Sequence, residues 1–243
     1  MPTATSTLIS TTPTVPAVIS IKASLPSPLS STSATLRSLY PRAARAFLHR
    51  EVPLAHTLLT SAFAILHPPS SASPDTLAVH RRKWDILRIT LETTVYASPP
   101  LARDLEVLPT PLRANLVHSP QTLIASLYTR SLNLFTPTSP PQKPNATFLP
   151  SQILVTLILS SLKLNCAHVG KGMLEEWLAR RGQYDGVDND NEGYQKVVDI
   201  YCLYLLPRLE QWDYAREFLQ NEEELPPEYK EVWSLLHLMD IYT

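Results

Sequence analysis

No glycine precedes Gly170, and all five glycines of this 243-residue chain fall at or after it. The first 169 residues therefore hold no glycine-dependent turn, no phosphate-cradling loop and no dinucleotide fingerprint. Gly170-Lys171-Gly172 lacks the upstream glycine and the following Ser or Thr of a P-loop. The 23 prolines punctuate the chain instead. What lies between them has apolar residues at helical spacing, and no stretch forms a convincing strand ladder.

The spacing predicts an all-α fold of stacked helical hairpins, a tetratricopeptide-like α-solenoid with a disordered N-terminal tail. The first hairpin is expected over Thr35–His49 and Pro53–Leu66, with Leu36, Leu39, Ala43, Ala46 and Phe47 on one face. A long helix, Asp75–Tyr96, follows a Pro/Ser loop. Prolines confine residues 98–118 to short helical turns before an amphipathic helix, Pro120–Phe135, and a flexible surface loop, Thr136–Asn145. Two more hairpins are expected over Gln152–Leu164 with Val169–Arg181 and Tyr194–Leu209 with Asp213–Leu219, around an acidic loop. A last helix is expected at Glu228–Tyr242.

Residues 1–34 are rich in Ser, Thr, Pro and Ala, carry only Lys22 as a charge, and are expected to be a disordered tail ahead of a helical domain over 35–243. An acid-free start followed by Arg37, Arg42, Arg45 and Arg50 also has the make-up of a transit peptide. The first 36 residues hold no arginine, though, and prolines interrupt any early amphipathic helix. The net charge of −1 conceals an asymmetry: residues 1–170 carry 14 Lys and Arg against 6 Asp and Glu, and residues 171–243 carry 7 against 16. The basic and acidic parts could attract each other or face different partners, or the acidic part is simply the solvated end of an ordinary domain. The two cysteines, Cys166 and Cys202, are too few for a disulfide framework and fit a reducing compartment. No stretch reaches the roughly eighteen apolar residues of a membrane span.

Catalytic and metal constellations are weak. Cys166 and His168 have no second ligand pair nearby, and the remaining histidines are scattered. There is no Gly-x-Ser-x-Gly elbow, and paired buried carboxylates are not evident. Asp188, Asp190, Glu192, Gly193 and Asp199 imitate an EF-hand loop, but Gln195 stands where an apolar residue is needed. An acidic helix start is the better reading. No cofactor, metal or nucleic-acid partner is expected. The run His80-Arg81-Arg82-Lys83-Trp84 is a solvated face supported by Arg81–Asp85 and Arg88–Glu92 pairs, or else a partner-docking face through Arg81, Arg82 and Trp84.

Four segments in this order carry a resemblance: LYPRAARAFLHREVPLAHTLLTSAFAIL, HRRKWDILRITLETTVYAS, LPSQILVTLILSSLKLNCAHVGKGMLEEWLARR and YQKVVDIYCLYLLPRLEQWDYAREFLQ. Across roughly residues 36–240 the chain resembles the tail-anchored peroxisomal adaptors of fungi and animals, and its long helix resembles the filamentous-fungal branch. Those adaptors recruit the peroxisomal AAA-ATPase pair to the membrane. The resemblance implies a non-enzymatic domain on the cytosolic face of the peroxisomal membrane. It would bind the amino-terminal domain of one ATPase and so support receptor recycling and matrix protein import. It further implies contact through the first hairpin, near Phe47 and Leu48, and a carboxy-terminal membrane anchor, which this chain lacks. The alternatives are a helical-repeat scaffold for another assembly and, from another class, an α-helical hydrolase or metal enzyme.

Overall fold

A computed structural model describes residues 28–71, 75–101, 105–181, 190–222 and 224. Among them every regular element is helical and no strand occurs. The helices are α1 (Pro28–Leu48), α2 (Val52–Phe63), α3 (Ala78–Ala97), α4 (Thr110–Asn115), α5 (Pro120–Phe135), α6 (Ser151–Lys163), α7 (Ala167–Arg180), α8 (Asn191–Ile200), α9 (Leu206–Arg208) and α10 (Trp212–Asn221). A short 3-10 turn, Ala146–Phe148, precedes α6. The helix expected at Glu228–Tyr242 lies outside the described residues.

Local chemistry moves the boundaries. Residues 28–34, assigned to the tail from composition, are helical: Pro28 suits a first turn, and α1 begins there rather than at Thr35. The long helix starts at Ala78 rather than Asp75, because the Asp75 carboxylate accepts the Leu77 N–H at 2.9 Å and closes a turn ahead of the helix, with Leu77 at its N-cap. Helix α8 starts at Asn191, ahead of the expected Tyr194, because Asp190 accepts the Gly193 N–H at 2.8 Å. The helix expected to run unbroken to Leu209 widens into a π-helical turn at Tyr201–Leu205. Pro207 has no N–H to offer the carbonyl four residues back, and the Leu206 N–H reaches Tyr201 O instead. The loop expected to be flexible at 136–145 is closed at its base, where Asn145 N–H donates to Thr136 Oγ1 at 3.0 Å. It is also tied to the 66–71 loop by Thr138 and Ser139 N–H bonds to Pro69 and Ser70 carbonyls, both 2.9 Å.

Three hairpin turns share one backbone. Arg50, Asn165 and Glu210 sit at φ 60°, 55° and 58°, each two residues past the end of its helix. In each the residue that follows donates back to the helix: Glu51 N to Ala46 O, Cys166 N to Ser161 O and Gln211 N to Leu206 O, all 2.9 Å. The left-handed residues add Arg50 N to Phe47 O, Asn165 N to Leu162 O and Glu210 N to Pro207 O. These are Schellman turns, usually built on glycine. Here they are repeated without one.

Helices pair as α1 with α2, α3 with α5, α6 with α7, and the π turn with α10. Helix α1 packs on α3, α3 on α6, and α6 on α8; α2, α5 and α7 each pack on the first helix of the next pair or its π turn. The first helices of the pairs run the same way. Ser33 on α1 meets His80 near the start of α3 at 3.0 Å, and Ser151 at the start of α6 donates to Asp190 at the start of α8 at 2.6 Å. At the other end Lys163 Nζ reaches Thr94 Oγ1 at 3.3 Å.

Two apolar cores result. One joins α1, α2, Leu108, Leu112 and the Trp84, Leu87, Leu91, Val95 side of α3. The other joins α5 to α10 with Ile89. Each fully buried Leu or Ile contributes about 1.5–3 kcal/mol. Helix α7 comes so close to α6 that a Cβ at Gly170 would lie 2.2 Å from Ser161 Oγ, which explains a glycine inside a helix.

Candidate functional site

The five residues singled out from the sequence are not brought together on one face. Leu48 ends α1 and is 77 % exposed. Phe47, beside it, is half-buried against the first core. Arg82 is half-buried. Arg81 and Trp84 are buried, which corrects their assignment to a solvated or partner-docking face. The guanidinium of Arg81 is held by the Asp75 carboxylate and donates through Nε and Nη2 to the His67 carbonyl at 3.1 and 2.9 Å. Trp84 is wholly enclosed, edge-on to Tyr40 at 5.4 Å. At about 3.6 residues per turn, five consecutive residues circle the helix. Helix α3 is covered on most sides, so two of the five point inward.

The exposed apolar surface of the first hairpin lies at its turn. Leu54, in the first turn of α2, is 43 % exposed and Leu48 more so. Arg42, Arg45, His49 and Arg50 around them are also exposed. Among the described residues no ion pair engages Arg42, Arg45 or Arg50. The result is a pair of exposed leucines at the tip of the first hairpin, flanked by Arg42, Arg45, His49, Arg50 and one acid, Glu51. Such a surface fits docking, since a preformed site loses little ordering entropy on binding and exposed Leu and Arg side chains can act as anchors.

Sequence reasoning missed a buried ionic row. Asp85, Arg88 and Glu92 follow one another at i, i+3 and i+7 along α3, between the two cores. Arg88 pairs with Asp85, and its guanidinium lies 4.8 Å from the centre of the Phe63 ring. Ser131 of α5 donates to Asp85 at 2.7 Å. Arg130 grips Glu92 with both Nη atoms, at 2.9 and 2.6 Å, and Asn115 adds a bond of 2.7 Å. The expected Arg81–Asp85 and Arg88–Glu92 pairs do not form, since each partner finds a closer one. Burial pushes the Asp85 carboxyl above its usual range, against the pull of Arg88 and Ser131. Burial also lowers His56, which feels Glu92. The charge spacing on an otherwise covered helix was the available signal; Arg130, 38 residues away, was not.

The second half uses its acids as tyrosine acceptors. Tyr128, Tyr201 and Tyr194 donate to Glu176, Glu175 and Glu222 at 2.9, 2.8 and 2.6 Å. Arg181 stacks on Tyr194 with 3.7 Å to the ring centre and pairs with Glu224. Cys166 and Cys202 are buried free thiols, and burial raises both. The EF-hand imitation fails as a loop, since Asp190 caps α8 while Glu192 and Gly193 already lie inside it; Asp188 is outside the described residues. Among the described residues no group of three or more His, Cys, Asp or Glu converges as a metal ion requires. No helix of the described residues is long and apolar enough to cross a membrane.

The fold and its surfaces define an all-helical protein built from paired helices. No protein-family model matches the chain, and no curated protein or solved structure does either.

Proposed function

We propose that the chain is a non-enzymatic docking domain, a stack of helical hairpins of the tetratricopeptide kind. Four pairs are read in it: α1 with α2, α3 with α5, α6 with α7, and α8–α9 with α10. The repeated order of packing supports this, as do the parallel first helices and the three identical turns. Asn165, in one turn, accepts from Arg208 beside the next turn at 2.9 Å, as neighbouring repeats require.

The occupant we propose is the one implied by the resemblance to tail-anchored peroxisomal adaptors: the amino-terminal domain of a peroxisomal AAA-ATPase, held at the cytosolic face of the peroxisomal membrane. The single observation carrying the docking reading is the exposure of Leu48 and Leu54 beside arginines that have no ion-pair partner among the described residues. A pull-down of purified peroxisomal ATPases with ATP tests it. Capture is expected with the wild-type chain, and at least a tenfold weaker capture with Leu48→Asp. Failure to capture either ATPase defeats the peroxisomal reading, and leaves the hairpin stack as a scaffold for another assembly.

A further inference from the structure

At the edge where the first helices of the pairs begin, α1 and α3 bring together a serine and three basic groups. Ser33 Oγ lies 3.0 Å from His80 Nε2. Arg37 follows Ser33 by one turn on α1, and Lys83 follows His80 by one turn on α3, so both flank the contact. Both act on His80 as like charges, and no carboxylate offsets them there. Among the described residues neither Arg37 nor Lys83 has an ion-pair partner. An imidazole, a guanidinium and an ammonium around one hydroxyl lack only an anion.

We propose that Ser33, Arg37, His80 and Lys83 form a receiving site for a phosphate monoester, and that the phosphate is one carried by Ser33 itself. Ser33 Oγ already occupies the position on His80 Nε2 that a free phosphate would have to take. The neighbouring hydroxyls are committed elsewhere: Thr35 Oγ1 donates to Ser31 O at 3.0 Å and Ser38 Oγ to Thr35 O at 2.9 Å. Residues 30–35 read SSTSAT, mostly weak helix formers, so opening the first turns of α1 to a kinase costs little. In the modifying step a serine kinase transfers the γ-phosphoryl group of ATP. The Oγ–P bond forms, the bond from the γ-phosphorus to the β–γ bridging oxygen breaks, ADP leaves and the hydroxyl proton passes to the kinase's base. The product places about −1.5 to −2 charges beside the two cations and the imidazole, favours protonation of His80, and pins the start of α1 to α3.

The full chain with phosphoserine installed at position 33 tests this against the unmodified chain. Two readouts are expected to move together. By NMR, the His80 pKa rises from below 6.5 to above it. The melting temperature rises by about 2–4 °C. Arg37→Ala and Lys83→Ala, each at an exposed position, are expected to abolish the thermal gain without lowering the stability of the unmodified chain. Mapping phosphopeptides from cells that make the protein is expected to find phosphoserine 33. A His80 pKa that stays below 6.5, a lowered melting temperature, or no phosphate on Ser33 in those cells overturns the proposal. Equal shifts given to the unmodified chain by millimolar inorganic phosphate overturn the assignment to Ser33.

Discussion

Burial separates residues that look alike in the sequence. Trp84 and Leu48 are both large apolar side chains beside arginines, yet one is enclosed and the other is 77 % exposed. Trp84→Ala is expected to cost about 3–5 kcal/mol, measured by denaturant unfolding. Leu48→Asp is expected to stay within about 0.5 kcal/mol of wild type. A large loss of stability in Leu48→Asp would mean that Leu48 packs inward. Two half-buried imidazoles, His56 and His80, contribute to the pH response. Burial lowers His56 and His80 from the ordinary 6.5, so the unfolded chain protonates first as pH falls. Their contribution is full above 6.5 and is lost as pH falls through 6.5 toward the folded values. The melting temperature is therefore expected to drop between about pH 7.5 and 5.5. The drop should be smaller in His56→Gln, and an equal drop would remove His56 as a cause. The basic run at His80–Trp84 was visible in the sequence, but its orientation was not. Loop residues Asp75 and His67, which fold back over Arg81, decide which way it faces.

Elements were the most legible scale. The 3.6-residue spacing located the helices, because the core faces of α1, α3, α5 and α6 carry the apolar residues that define it. Their ends were less visible, since Asp75 closes a side-chain turn ahead of α3 and Asp190 caps α8, so neither starts its helix. The turns were not legible at all. Nothing in the sequence marks Arg50 or Glu210 as left-handed, a conformation that costs a non-glycine residue about 1–2 kcal/mol. Glu210→Gly is therefore expected to stabilise the chain by about 0.5–1 kcal/mol, after the glycine's extra unfolded-state freedom is subtracted. A lower melting temperature would show that the Glu210 side chain holds the turn. The ionic row on α3 responds in the opposite sense. Removing one partner, as in Arg130→Ala, leaves buried Glu92 with only Asn115 as a donor, at an expected cost of about 1–3 kcal/mol. The double variant Glu92→Leu, Arg130→Met is expected to recover most of that in the same unfolding assay. If it unfolds as easily as the single variant, the row is needed for packing and not merely for charge balance.

For the molecule as a whole, the parallel first helices leave edges that carry different chemistry. Among the described residues Arg37, Arg42 and Arg45 on α1 and Lys83 on α3 have no ion-pair partner, while Glu175, Glu176 and Glu222 accept from tyrosines and Glu224 pairs with Arg181. The docking reading places binding at the α1–α2 tip and leaves the later hairpins as its support. Hydrogen exchange on the full chain, with and without the amino-terminal domain of the peroxisomal ATPase, tests this most directly. Slowed exchange is expected in the peptides spanning residues 42–54 and little change in α7 to α10. Protection confined to the later hairpins, or none at a saturating concentration, would contradict it.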